Sequence, residues 1–365
     1  MSKKLSILGI RGIPAAHGGF ETFAEELAVY LEKKGWEVTV YCQVNDGKIK
    51  EDRWNNIRRV FVPVNGSGSL GSVIFDLKVA WIARKDKGVL LTLGYNTALF
   101  NVIQRVWKQK NIINMDGIEW KRDKWGAIAK TWFWVNERIG CWVGNHLVAD
   151  HPEIKKHLST RVNGKKITMI PYGGNSVEGI KEDVLKQYDL FPRKYAIVIA
   201  RPEPENSFLQ IVHAFSSKPR DFKLVVLGNF DYRNNDYHKK VIDAAGKNVV
   251  FPGAIYDQNT VGALRKFSSF YIHGHTVGGT NPSLVEAMGA GCAIIAHDNK
   301  FNRWVAGKDQ FYFKNEKELE NIFDNYLGDD EVREKLSDMS THNFVTRFQW
   351  DIILREYEDL LSRYI

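Results

Sequence analysis

The chain is 365 residues long with 44% hydrophobic residues, which suits two packed cores of about 150 to 180 residues each rather than one. No run of about 18 uncharged apolar residues occurs, which excludes a membrane-spanning helix. The net charge of +8 leaves nucleic acid, an anionic membrane surface and phosphorylated substrates open as partners.

The first elements read as a βαβ unit. Leu5 to Ile10 is an apolar strand, followed by a Gly-rich turn and a helix with Phe20, Phe23, Ala24, Leu27, Ala28 and Leu31 at the 3.6-residue period. The start, Met1-Ser2-Lys3-Lys4-Leu5, has no apolar signal segment, so a cytoplasmic protein is expected. Gly35 stands where a helix ends, and Val38 to Tyr41 supplies a second strand. Short apolar runs recur at 60–62, 88–93, 111–114, 146–149 and 166–170, at spacings that fit helices between parallel strands. A polar stretch at 178–186 is the expected linker, and strands at 195–200, 222–228, 248–251, 269–273 and 292–296 begin the pattern again. Residues 348–364 carry Trp350, Ile353, Leu354, Tyr357, Leu360 and Leu361 on one helical face. The predicted domains are therefore 1–180 and 185–345, with the helix at about 348–365 packing back on the first.

Cys42, Cys141 and Cys292 lie too far apart for a disulfide framework or zinc site, and the histidines show no H-x3-H or H-E-x-x-H spacing, so no metal is expected. The first turn, Arg11 to Glu21, places Gly18 and Gly19 directly before a helix, where backbone N–H groups can meet a phosphate; a tight structural turn explains the same residues. Arg201 follows a strand end, where a guanidinium can face a ligand crevice or simply stay solvated. In His273-Gly274-His275-Thr276-Val277-Gly278-Gly279-Thr280-Asn281-Pro282-Ser283-Leu284-Val285-Glu286, Asn281 can cap a helix that starts at Pro282. Such a helix offers N–H groups to an anion and sets Glu286 one turn further on, either near sugar hydroxyls or paired to a neighbour.

Gly18-Gly19 after the first strand, Arg201, and N-P-S-L-V-E-A-M-G-A-G before an apolar strand resemble family 4 of the retaining glycosyltransferases over nearly the whole chain. The opening I-R-G-I-P-A-A-H-G-G-F-E-T and the segment Asn114 to Arg122 are similar to a bacterial subfamily rich in rhamnosyltransferases of polysaccharide assembly. The resemblance implies the α/β GT-B fold, two facing Rossmann-like domains with an interdomain cleft. It also implies transfer of a sugar, with retention, from a nucleoside-diphosphate sugar to a glycan or lipid-linked acceptor; that sugar is a co-substrate, and no cofactor or metal is needed.

On this resemblance the donor is expected at Gly18, Gly19, Arg201, Asn206, His275, Gly278, Gly279, Thr280, Asn281, Ser283, Leu284 and Glu286, with Arg201 also stabilising the departing diphosphate. Asp116 is the expected catalytic residue on the acceptor side, accompanied by His17 and Glu119. Two positions depart from the family pattern: Gly278 stands where E-x7-E has its first Glu, and Asn206 where a phosphate-binding Lys is usual. A sugar-nucleotide epimerase and a non-catalytic binding subunit share these features as alternatives. The aromatic-basic stretch from Trp107 to Trp134 suits either the inner face of an anionic membrane or the core of the first domain. No nucleic-acid module accompanies it, so nucleic acid is not an expected partner.

Overall fold

The computed structural model describes residues 3–16, 18–66 and 68–365, which divide into two compact units. The first comprises residues 1–172 and 350–365, the second Gly173–Gln349.

The first unit opens with β1 (Lys4–Leu8), α1 (Gly19–Lys33), β2 (Glu37–Val44), β3 (Lys50–Trp54), β4 (Ile57–Pro63) and α2 (Gly68–Ala83). It continues with β5 (Val89–Leu93), α3 (Val102–Val106), β6 (Lys110–Asn114), α4 (Ala127–Val143), β7 (His146–Ala149), α5 (Pro152–Leu158) and β8 (Ile167–Met169). The eight strands are ordered β3-β4-β2-β1-β5-β6-β7-β8, and all pairs are parallel except β3 with β4. Because parallel strands bury both faces, neighbouring residues serve opposite cores. Ile7 and Val40 face α1, whereas Leu8, Tyr41 and Leu90 face Phe75, Val79 and Ala83 of α2.

β3 was not among the predicted strands because its sequence, Lys-Glu-Asp-Arg-Trp, is charged. It is an edge strand joined to β4 by a turn at Asn55 and Asn56, both at positive φ, and held by the Arg58–Glu51 and Arg59–Asp52 ion pairs, each at 2.6 Å.

The second unit comprises β9 (Tyr195–Ile199), α6 (Phe208–Ser216), β10 (Lys223–Leu227), α7 (Asp236–Asp243), β11 (Val249–Gly253), α8 (Gln258–Lys266) and β12 (Phe270–His273). It ends with α9 (Pro282–Gly289), β13 (Ala293–His297), α10 (Lys300–Ala306), β14 (Phe311–Phe313), α11 (Glu316–Tyr326) and α12 (Asp330–Arg347). Its all-parallel sheet runs β11-β10-β9-β12-β13-β14, the 3-2-1-4-5-6 order of a Rossmann sheet. The division between units falls after Tyr172 rather than near 180–185, since Val184 and Leu185 from the expected linker pack into the second core. α13 (Trp350–Ser362) returns to the first unit, where Phe23 of α1 lies 4.5 Å from the Tyr357 ring. Its buried Trp350, Ile353, Leu354, Tyr357, Leu360 and Leu361 are the stripe read from the sequence.

Candidate active site

In a 3-2-1-4-5-6 sheet, adjacent connections turn opposite ways between the first and fourth strands and leave a crevice at their carboxyl ends. In the second unit those strands are β9 and β12, and the loops leaving them carry Arg201 and the segment from Gly274 to Asn281.

The two loops brace each other. After β9, the Arg201 carbonyl accepts from Glu203 N–H at 2.7 Å and from the Asn206 side chain at 2.7 Å. The Glu205 carbonyl accepts from both Thr276 N–H at 2.9 Å and Thr276 Oγ1 at 3.0 Å, while Ser207 Oγ donates to the Gly274 carbonyl at 2.8 Å. Gly274 is demanded by this approach, since a Cβ there would lie 2.2 Å from the Asn206 carbonyl. From the far side, Asn299 and Asn302 each donate to the His275 carbonyl at 2.9 Å. Arg201 is exposed, and among the described residues no carboxylate forms an ion pair with its guanidinium. The loop around it is thus fixed while its charge is available.

The Asn206 side chain, expected at the donor, is buried, with its amide nitrogen donating to the Arg201 carbonyl as a brace. Leu284 is likewise a core residue with no exposed side chain, so its side chain cannot touch a donor.

α9 begins as its sequence predicts. The Asn281 side chain accepts from Ser283 N–H at 3.1 Å and from Ser283 Oγ at 2.9 Å, with Pro282 at the first helical position. Thr280 is buried behind this cap, whereas Gly279 is only half-buried. Gly278 has φ +148°, where an L side chain is strained, although no atom would lie within 4 Å of an added Cβ. The missing first Glu is therefore matched by a glycine backbone in the loop that replaces it.

Glu286 is paired. Arg265 Nη2 meets its Oε2 at 2.6 Å, and Arg265 is buried while the Glu286 side chain keeps about a third of its surface. Burial opposes the charge of Arg265, but the Glu286 carboxylate more than offsets this and its acidity falls further. Glu286 is thus a partnered carboxylate with an exposed side. Arg265 was missed; its signal was a lone cation beside Val261 and Leu264 on the buried side of α8. His275 stacks on His273 with ring centroids 4.2 Å apart and planes 7° from parallel. His273 is buried, and burial first, then His275 and His297, hold it neutral well below the usual histidine range.

The remaining expected residues belong to the first unit. Asp116 follows β6 at φ +50°, half-buried, with its N–H donating to Asn114 Oδ1 at 3.0 Å. Glu119 is corrected to a structural residue: Arg122 takes one carboxylate oxygen at 2.7 Å and the Trp125 indole the other at 3.1 Å. Gly18 caps α1 and Gly19 begins it, yet Arg11 N–H donates to Glu21 and Ala15 N–H to Glu25, so carboxylates of α1 hold amides of the preceding turn. His17 lies outside the described residues.

Residues 182–342 match the family model described as Glycosyl transferases group 1, and residues 2–175 match one described as Domain of unknown function (DUF1972). The first of these matches falls within the second unit and the other falls mainly in the first. No curated protein matches the chain. Among solved structures, it is similar to sucrose-phosphate synthase from Thermosynechococcus elongatus, with TM-score 0.82 and 15% identity, covering 99% of this chain and 98% of that one. Anabaena HepE in complex with UDP and glucose gives TM-score 0.79 at 15% identity, covering 99% and 100%. A glycosyltransferase from Rickettsia africae gives TM-score 0.74 at 16% identity, covering 100% and 98%. The fold is thus two Rossmann-like α/β domains with parallel sheets, matching GT-B glycosyltransferase structures.

Proposed function

We propose that this protein is a retaining, metal-independent glycosyltransferase of cell-surface polysaccharide biosynthesis. It moves a sugar, rhamnose on the sequence resemblance, from a nucleoside-diphosphate sugar to a glycan or lipid-linked acceptor at the inner face of the cell membrane. The observation that carries this reading is the exposed, unpaired Arg201 on a braced loop beside the switch point of a group 1 domain. HepE, a structural neighbour, is recorded with UDP and glucose, which supports a nucleotide-sugar donor here.

Cleavage of the donor's glycosidic bond develops oxocarbenium character on the sugar and negative charge on the leaving diphosphate. Arg201 and the N–H groups of Gly278 and Gly279 stabilise that charge, and because their loops are already ordered, little reorganisation accompanies the step. The free side of Glu286 binds the donor ribose, while Arg265 orients the carboxylate. Asp116 contacts the acceptor.

The test is product analysis with a panel of nucleoside-diphosphate sugars, with and without lipid-linked acceptors. Acceptor-dependent release of nucleoside diphosphate with glycosylated product is expected. Conversion of the donor sugar without acceptor identifies an epimerase instead, and nucleotide binding without turnover identifies a binding subunit.

A further inference from the structure

Three helices of the first unit turn large apolar side chains outward. α4 buries Asn136, Glu137 and Gly140 against the protein, while Ile128, Trp132, Val135 and Trp142 are exposed at i, i+4, i+7 and i+14. The short helical turn before α3 (Ala98–Asn101) and α3 itself bury Ala98, Asn101 and Gln104, and expose Leu99, Val106 and, just after α3, Trp107. α2 carries two apolar stripes: Gly71, Phe75, Val79 and Ala83 face the core, and Leu70, Leu77 and Trp81 face outward. A helix at a protein surface ordinarily shows one apolar stripe, turned inward.

These outward stripes form one surface. Trp81 and Trp107 meet edge to face at 6.0 Å, Leu99 N–H donates to Asn136 at 2.9 Å, and the Arg105 guanidinium of α3 lies 5.3 Å from the Trp142 ring of α4. Large apolar side chains exposed side by side mark a contact surface.

Its charge selects the occupant. Residues 68–143 hold twelve Lys and Arg against six Asp and Glu, so most of the chain's net charge of +8 falls here. Glu119 and Glu137 are buried, and Asp86 accepts from Ser6 and Tyr41. The cations instead flank the rings: Arg84 sits 3.8 Å from Trp81 and Arg138 3.7 Å from Trp134. Tryptophan with long cationic side chains at its edge suits the boundary of an anionic bilayer, where rings enter the headgroup layer and cations meet lipid phosphates. The Trp120 to Trp125 stretch contributes less, since the Trp120 indole is bonded to Glu137 at 2.7 Å and Arg122 to Glu119.

We propose that the outward face of α2, α3 and α4 is a membrane-docking surface for anionic lipid. It deepens the lipid-linked-acceptor reading and rests on it for the choice of the cytoplasmic leaflet. The test is co-sedimentation with vesicles of phosphatidylcholine alone or mixed with phosphatidylglycerol, at low and high salt. Wild type should bind the anionic vesicles and be released by salt. The combined Trp81→Ser, Trp107→Ser, Trp142→Ser variant should bind at least about tenfold more weakly. The combined Arg84→Gln, Arg105→Gln, Arg138→Gln variant should lose the preference for phosphatidylglycerol. Ile128→Glu, at a side chain 89% exposed, gives a substitution that leaves folding undisturbed and should also weaken binding.

Nucleoside-diphosphate binding, measured by calorimetry on the same samples, should stay unchanged in every variant. Wild type that ignores anionic vesicles at low salt while binding nucleotide overturns the surface and spares the enzyme reading; vesicle binding without nucleotide binding does the reverse. Wild type that dimerises, with the Trp variant monomeric and neither binding lipid, assigns the face to a second copy and overturns the proposal.

Discussion

The turn after β1 and the turn after β9 hold the same station, each following the first strand of its Rossmann unit beside a point where the strand order reverses. They differ in the groups that satisfy the backbone. In the first, Glu21 and Glu25 reach back from α1 to the N–H groups of Arg11 and Ala15, so negative charge already occupies the turn. In the second, Asn206 and Ser207 brace the backbone with neutral groups, and Arg201 is left exposed with no ion pair among the described residues. A glycine-rich turn before a helix is therefore not enough to define a phosphate site. The side chains that satisfy its amides decide whether an anion is welcome.

The largest expected effect comes from breaking the brace. In Gly274→Ala the new Cβ must displace the Asn206 carbonyl, a backbone atom that cannot move alone. The second unit should lose about 2–3 kcal/mol by denaturant titration, the upper part of the range for overpacking, and nucleotide affinity should fall with it. Unchanged stability means the two loops are not coupled as their hydrogen bonds imply.

Arg201→Ala comes next. Removing a charge-assisted contact should weaken nucleoside-diphosphate binding by about 1.5–3 kcal/mol in calorimetry, without destabilising a fold in which its side chain has no ion pair. Equal affinity in the variant would remove Arg201 from the site and abolish the contrast between the two turns.

Glu286→Gln should have a smaller effect, about 1 kcal/mol on donor affinity, since an amide still accepts hydrogen bonds from ribose and from Arg265. The expected kinetic signature is a raised KM with kcat nearly unchanged; a large drop in kcat at saturating donor would show that the carboxylate takes part in the chemistry.

The parallel framework was legible because each buried strand is a short run of β-branched and aliphatic residues, as in Val38 to Tyr41 or Ile294 and Ile295. β3 was not legible, because an edge strand rich in charge carries no apolar signal. At the site, Asn281 and Pro282 were readable, since capping is a local demand on residue type. The fates of Asn206, Glu119 and Glu286 depend on partners that folding alone brings near. Glu286 meets Arg265 from another helix, and Glu119 uses Arg122 and Trp125 through the short helical turn at Glu119–Lys121. The outward tryptophans were visible as composition, but which way they face depends on which side of α4 the sheet covers.

The smallest predicted effect tests the comparison most directly. If Glu21 and Glu25 satisfy the first turn, then Glu21→Gln with Glu25→Gln keeps an acceptor oxygen at each N–H and removes only the charge. Each substitution should destabilise the first unit by about 0.5–1 kcal/mol, the difference between a charged and a neutral hydrogen bond. Nucleoside-diphosphate affinity should not change, because on this reading the second unit alone binds the diphosphate. The opposite result is informative as well. If removing the two negative charges tightens nucleotide binding, the N–H groups near Gly18 and Gly19 must lie close enough to the diphosphate for the carboxylates to have repelled it. Calorimetric titrations of the wild type and the double variant at two salt concentrations separate the cases, since repulsion between charges weakens as salt rises whereas a lost hydrogen bond does not recover.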